Sequence, residues 1–260
     1  MKRLMRNLAW SAVICFTASA FAQSPLAGTW KFNQEKSRIT GETMSFAPAP
    51  GDAVKFSAAA MTYTAKLDGS DSTTPMGFTT QWTKIDEDTW KVVAKKGSTI
   101  LSTDTMKLSP DGKTLEYTSD GTKPNGDSFH DTSTYARIAG TKGFFGTWRS
   151  TKTSLSSPSG YEIKDNGDGT LTWTLPDLKA TVILKTDGTE APATGPTVPD
   201  GLTLSLMKTG PRSFTLLEKI KGKPLWKGKQ TVSEDGKTLT EEGSIVGVNE
   251  PTTAVYDKVG

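Results

Sequence analysis

Gly146-Thr147-Trp148 stands near the middle of this 260-residue chain and repeats Gly28-Thr29-Trp30 near its start. Working outward from the two copies, Lys66-Leu67-Asp68-Gly69 returns as Lys185-Thr186-Asp187-Gly188. Ser109-Pro110-Asp111-Gly112-Lys113-Thr114-Leu115 returns as Ser233-Glu234-Asp235-Gly236-Lys237-Thr238-Leu239. Tyr135-Ala136-Arg137-Ile138 returns as Tyr256-Asp257-Lys258-Val259. The four offsets are 118, 119, 124 and 121 residues, so order and phase hold with only small insertions. A period this long is a duplicated domain rather than a solenoid repeat. The expected division is a segment over 1–22, a first domain over 26–139 and a second over 144–260.

The N-terminal segment reads as a cleaved export signal. Lys2, Arg3 and Arg6 precede an apolar run from Leu8 to Phe16, and Ala20-Phe21-Ala22 offers a small-x-small site before Gln23. The run is too short for a membrane span, and no later stretch approaches one. Ile14 before Cys15 does not suit a lipoprotein signal. Cleavage after Ala22 and a bacterial periplasmic or secreted location are therefore expected. Three of the 31 basic residues lie in this segment, leaving 28 against 28 acidic ones. A mature chain near neutrality gives no electrostatic reason for a nucleic-acid or anionic-membrane partner. The single cysteine, Cys15, leaves with the signal, so disulfides, thiolate metal sites and a cysteine nucleophile are excluded.

The rest of the chain alternates with the period of half-buried strands. Trp30 and Phe32 share a face, as do Met61, Tyr63, Ala65 and Leu67, and then Trp90, Val92 and Ala94. In the second copy Leu171, Trp173 and Leu175 do the same, followed by Leu202, Leu204 and Leu206. Asp-Gly, Asn-Gly and Pro-Asp-Gly clusters separate these runs. About eight to nine strands per copy predict an all-β fold of two tandem antiparallel barrels, since closure removes exposed edges. Ala47–Gly51, Ser70–Pro75 and Thr186–Gly201 read as irregular loops. Ala139–Gly143 is too short for a flexible tether, which places the two domains close together.

On the Gly-Thr-Trp motifs, with a basic residue late in each copy, both halves resemble lipocalin-like (calycin) β-barrels. The phrase running from Gly28 to Ser37 is also similar to secreted bacterial proteins with tandem lipocalin-like repeats. The resemblance implies that Gly28 and Trp30, and Gly146 and Trp148, close one barrel end. It also implies that a basic side chain packs over each tryptophan: Arg137 over Trp30, and Lys258 over Trp148.

Candidate chemistry is thin. Asp165-Asn166-Gly167-Asp168-Gly169 has the composition of a calcium loop, but Lys164 and Leu175 fall where carboxylates belong, and a hairpin turn is the better reading. His130 is the only histidine and has no metal-ligand spacing partner; a haem or a catalytic triad built on it has no further support. No Gly-x-Ser-x-Gly elbow is present, and Asp86-Glu87-Asp88 and Glu241-Glu242 read as solvated carboxylate runs. No cofactor and no metal are implied, and an enzyme is the weaker class. The aromatics point instead to a lumen. Tyr63, Trp82, Trp90, Tyr117, Trp173, Leu204 and Leu206 are the expected lining, either around a pocket or as a filled core.

The leading expectation is an exported binding protein for a small apolar or amphipathic ligand, neutral or weakly anionic. That ligand would enter beside the loops after Asp68-Gly69 and Asp187-Gly188. The first pocket is expected to be more polar and aromatic, the second greasier. The alternative is a protein- or glycan-interaction module of the cell envelope with filled barrels. An isomerase- or esterase-like barrel comes third.

Overall fold

The computed structural model describes residues 23–58, 61–157, 159–246 and 251–260; the expected export signal lies outside them. In the N-terminal half the strands are β1 (Gly28–Phe32), β2 (Thr43–Ala49), β3 (Ala53–Ala58), β4 (Met61–Lys66) and β5 (Asp68–Thr73). They continue with β6 (Thr79–Lys84), β7 (Thr89–Lys96), β8 (Thr99–Leu108), β9 (Thr114–Thr122) and β10 (Ser128–Lys142). The C-terminal half opens with β11 (Phe145–Ser154), β12 (Gly160–Asp165), β13 (Thr170–Leu175), β14 (Ala180–Lys185) and β15 (Asp187–Pro192). It ends with β16 (Leu202–Lys208), β17 (Ser213–Ile220), β18 (Lys223–Val232), β19 (Thr238–Ile245) and β20 (Thr252–Val259). One 3-10 turn, Pro176–Leu178, is the sole helical element among the described residues. None of their helices is long and apolar enough to cross a membrane.

The strands form two ten-stranded antiparallel sheets, each curled into a nearly closed barrel. One runs β4-β3-β2-β11-β10-β9-β8-β7-β6-β5, the other β14-β13-β12-β1-β20-β19-β18-β17-β16-β15. The sheets do not divide the chain where the repeats do. β11, which opens the second copy, lies in the first barrel between β2 and β10, and β1 lies in the second between β12 and β20. Each copy has given its Gly-Thr-Trp strand to the other. The first barrel is thus the continuous run of residues 43–154, and the second closes only with the N-terminal strand.

The connection explains the exchange. Residues 139–142, expected to link two domains, are the end of β10, and a tight turn at Gly143 (φ +56°) brings Phe145 opposite Lys142. A hairpin closes a very short loop, so β11 reaches β10 at small entropic cost before any distant strand can. It takes the place that β1 would otherwise fill. The equivalent slot in the second barrel is left for β1.

Repeated sequence makes repeated local structure. In both Ser-x-Asp-Gly-Lys-Thr turns the serine hydroxyl accepts from the threonine N–H, at 3.0 Å for Ser109 and 2.9 Å for Ser233. Asp111 and Asp235 accept from the lysine N–H that follows, at 3.0 and 3.1 Å. The Asp-Gly pairs at 68–69 and 187–188 do not end in loops. Asp68 and Asp187 each accept from an N–H two residues on, at 2.9 Å, and Gly69 and Gly188 take φ near +82° and +86°. The result is a bulge that bends β4 into β5 and β14 into β15, because an Asx turn with a left-handed glycine extends the strand around a corner. Both polar runs expected as loops therefore begin as strands, and Ala47–Ala49 completes β2 in the same way. Their residues are too polar to show a buried face, which hid them from the alternation.

Two cores result. Met44, Phe46, Val54, Trp82, Trp90, Met106, Leu115, Phe144 and Trp148 pack the first barrel. Leu26, Trp30, Ile163, Leu171, Trp173, Leu184, Leu206, Phe214, Leu239 and Tyr256 pack the second.

Candidate functional site

One end of each barrel is plugged by the exchanged strand and the residues before it. Trp148 is fully buried and its Nε1 donates to Phe144 O at 2.9 Å; Trp30 Nε1 donates to Leu26 O at 2.7 Å. Phe144 stacks on Trp90 at 4.1 Å between centroids. The guanidinium of Arg137 sits 4.1 Å over Trp148, and Lys258 Nζ lies 5.2 Å over Trp30. These pairings reverse the expected ones, which put Arg137 on Trp30 and Lys258 on Trp148. Strand exchange moves each tryptophan beside the last strand of the other copy. The glycines two residues earlier are explained by the same contact: both have φ near +143°, and a Cβ on Gly28 would meet Lys258 Cε at 2.3 Å. On Gly146 it would meet the Ala139 carbonyl at 2.2 Å.

Aromatic rings crowd the interior of the first barrel, and an open cavity of about 1250 Å³ lies at its plugged end against Phe46, Trp90, Phe144 and Phe145. Phe46, Phe56, Tyr63, Trp82 and Trp90 form a chain of ring contacts with centroids 5.3–6.3 Å apart. Its polar atoms are paired within the wall. Trp82 Nε1 donates to Tyr63 Oη and to Thr80 Oγ1, both at 3.2 Å. Ser119 Oγ donates to Asp104 at 2.6 Å, and burial holds that carboxyl above the ordinary carboxylate range. Tyr117 lies beside Asp104, with burial raising its hydroxyl well above its ordinary value.

The second barrel has the same frame and different contents. At its unplugged end is a cavity of about 420 Å³, walled by Leu216, Leu225, Trp226, Ile245 and Ala254, with the carboxyls of Glu218 and Glu241. Glu241 is buried and anchored. Gln230 donates to one of its oxygens, and Tyr161 and Tyr256 donate to the other at 3.3 Å while sitting 3.0 Å apart. Burial raises its pKa, and those hydrogen bonds pull it part of the way back. Glu218, half-buried on β17, has no hydrogen-bond or ion-pair partner among the described residues. Loss of hydration, then repulsion from Glu241, pushes its pKa up to about 7. Gln230 is fully buried and its Oε1 has no partner, and Trp173 Nε1 is likewise unpaired among the described residues.

The duplication supplies an internal comparison. Glu218, Gln230 and Glu241 occupy the register positions of Ala94, Met106 and Tyr117 in the first barrel. The same scaffold therefore folds without acids at these places. Polar groups are thus buried in both barrels: Tyr63, Thr80 and Asp104 among the rings of the first, and Glu218, Gln230 and Glu241 in the second.

Of the expected lining residues, Tyr63, Trp82, Trp90 and Tyr117 lie in or against the first barrel's core, where Trp90 also lines the cavity at the plugged end, and Trp173, Leu204 and Leu206 lie in the packed part of the second. None of them walls the 420 Å³ cavity. Glu241 reads as solvated in sequence because Glu242 follows it; only the register shows that alternate side chains face opposite ways. His130 lies at the surface, with Nδ1 2.6 Å from Asp120 Oδ1 and both side chains mostly exposed. The Asp165–Gly169 stretch is a hairpin turn in which Asp165 and Asp168 accept backbone N–H groups at 2.9 Å.

The mouth of the cavity is covered from the other barrel. Met76, in the connection after β5, completes its wall. That connection is held by Asp200 N donating to Met76 O at 3.2 Å and by Lys221 Nζ donating to Pro75 O at 3.1 Å. Lys96 of the first barrel reaches Asp200 at 3.0 Å and also the Val198 carbonyl. A second clamp joins the barrels where Lys123, nearly buried, meets Asp177 and Ser159, both at 2.9 Å. No protein-family model, curated protein or solved structure matches the chain.

Proposed function

We propose that this is an exported lipocalin-like binding protein whose second barrel holds a small amphipathic molecule, the first barrel serving as its framework and cover. The observation that carries the reading is the mostly apolar cavity of about 420 Å³ with two carboxyls in its wall. Its size and its mixture of aliphatic, aromatic and a few convergent polar groups suit a small ligand. Buried carboxyls and an unpaired amide oxygen lower the stability of an empty barrel, and a bound donor offsets that loss. The first barrel's contribution to this cavity is Met76 at the mouth. Export is supported by the basic, apolar and small-residue order of residues 1–22.

The test is binding of a lipophilic naphthylamine fluorophore to the full mature chain, read by its emission. Wild type is expected to bind one equivalent. Ala254→Phe, which fills the cavity, abolishes binding, while Tyr63→Ala in the first barrel leaves it unchanged. Far-UV circular dichroism checks that both variants keep their strands. Binding that survives Ala254→Phe, or none in wild type, overturns the reading.

A further inference from the structure

Resting on that reading of the second lumen, we infer that its ligand is an organic monocation: a primary ammonium group held by Glu218 and Glu241, with an apolar tail against Leu216, Leu225, Trp226 and Ile245. Several observations converge on the charge of the head. The cavity wall presents two carboxyl groups, and Gln230, which donates to Glu241 from behind, does not itself line the cavity. Acceptors therefore outnumber donors. The nearby tyrosine hydroxyls have one proton each, and both are directed within the Tyr161, Tyr256 and Glu241 cluster. None of the ion pairs among the described residues involves Glu218 or Glu241.

Comparison with the first barrel shows that this is not a requirement of the fold. There the buried Asp104 is satisfied by Ser119, whereas Glu218 faces the cavity with no partner. Two carboxyls left together in a weakly solvated space repel each other, and a neighbouring positive charge relieves that repulsion. An ammonium, with three donors, supplies that charge and satisfies several acceptors at once. A carboxylate ligand would meet like charge and leave the same acceptors unpaired. The expectation of a neutral or weakly anionic ligand, drawn from sequence, is thereby replaced.

Octylamine, 1-octanol and octanoate share one tail and differ in the head, so their affinities separate the head from the lumen. Calorimetric titration of the full mature chain at pH 8 is expected to rank octylamine about tenfold or more above octanol, with octanoate weakest. Glu218→Gln, which keeps size and breaks no hydrogen bond, is expected to bring octylamine down to the level of octanol measured on the same variant. Octanol or octanoate binding as tightly as octylamine overturns the cation assignment and leaves the lumen reading standing. An octylamine preference that persists in both Glu218→Gln and Glu241→Gln also overturns it. Binding of none of the three overturns the lumen reading and the assignment together.

Discussion

Arg137 and Lys258 occupy the same place over their tryptophans, but they do different amounts of work. Arg137 donates from Nε to Gly112 O at 2.7 Å, from Nη1 to Phe145 O at 3.0 Å, and from Nη2 to the Gly143 carbonyl. Its planar fork stacks on the indole and ties two turns together, whereas the compact ammonium of Lys258 lies farther from its ring, at 5.2 Å. Glu218 shows what a single side chain does to the pH response. Its folded pKa, about 7, lies above the ordinary carboxylate value, so the folded state binds more protons than the unfolded state between those limits. Stability from this group is therefore present at acid pH and is lost as pH rises through about 7. We expect the second barrel to unfold at higher denaturant at pH 5 than at pH 8, and Glu218→Gln to flatten that difference. A pH dependence unchanged by the substitution would show that other groups set it.

Among the elements, β1 decides the most. It carries Trp30, almost completely buried, into the second barrel and pairs with Tyr161 on one side and Lys258 on the other. Gly160 permits the approach: its φ is +145°, and a Cβ there would lie 1.7 Å from Trp30 O. Trp30→Ala is expected to cost about 3–5 kcal/mol, the usual range for a large buried aromatic. The loss should fall on the barrel built from the C-terminal half. Hydrogen exchange resolved by segment checks this, with protection falling across 160–245 and 251–259 while 43–58 and 61–154 keep theirs. Loss of protection in the N-terminal half instead would mean that β1 closes its own copy.

At the scale of the molecule, the exchange makes the two barrels unequal partners. Residues 43–154 hold every strand of the first barrel in one run, while the second depends on a strand reached through residues 33–42. Those residues cross between the barrels, with Arg38 bridging Thr253 and Gly41 N donating to Ser150 O at 3.0 Å. A fragment spanning 41–157 is therefore expected to fold as a monomer with cooperative unfolding. A fragment cut at the repeat boundary, 26–139, lacks the hairpin partner of β10. Size-exclusion chromatography and urea melts of the two pieces distinguish the divisions. A folded, monomeric 26–139 beside an unfolded 41–157 would show that exchange is not needed to close the barrel.

The chain by itself determined the all-β class, the duplication, most strand positions and the two plugging tryptophans. Those depend on local alternation and turn chemistry, which side-chain type and spacing encode directly. Only the tertiary structure decided which copy each Gly-Thr-Trp strand completes. β1 and β11 carry the same motif and suit either slot, so the choice rests on the geometry of the β10–β11 hairpin. The candidate site was hidden for a related reason. Glu218 and Glu241 look like ordinary polar strand positions, and they become a site only when separate strands close one wall and turn them inward beside space that Met76 covers, with Gln230 of the strand between them donating to Glu241.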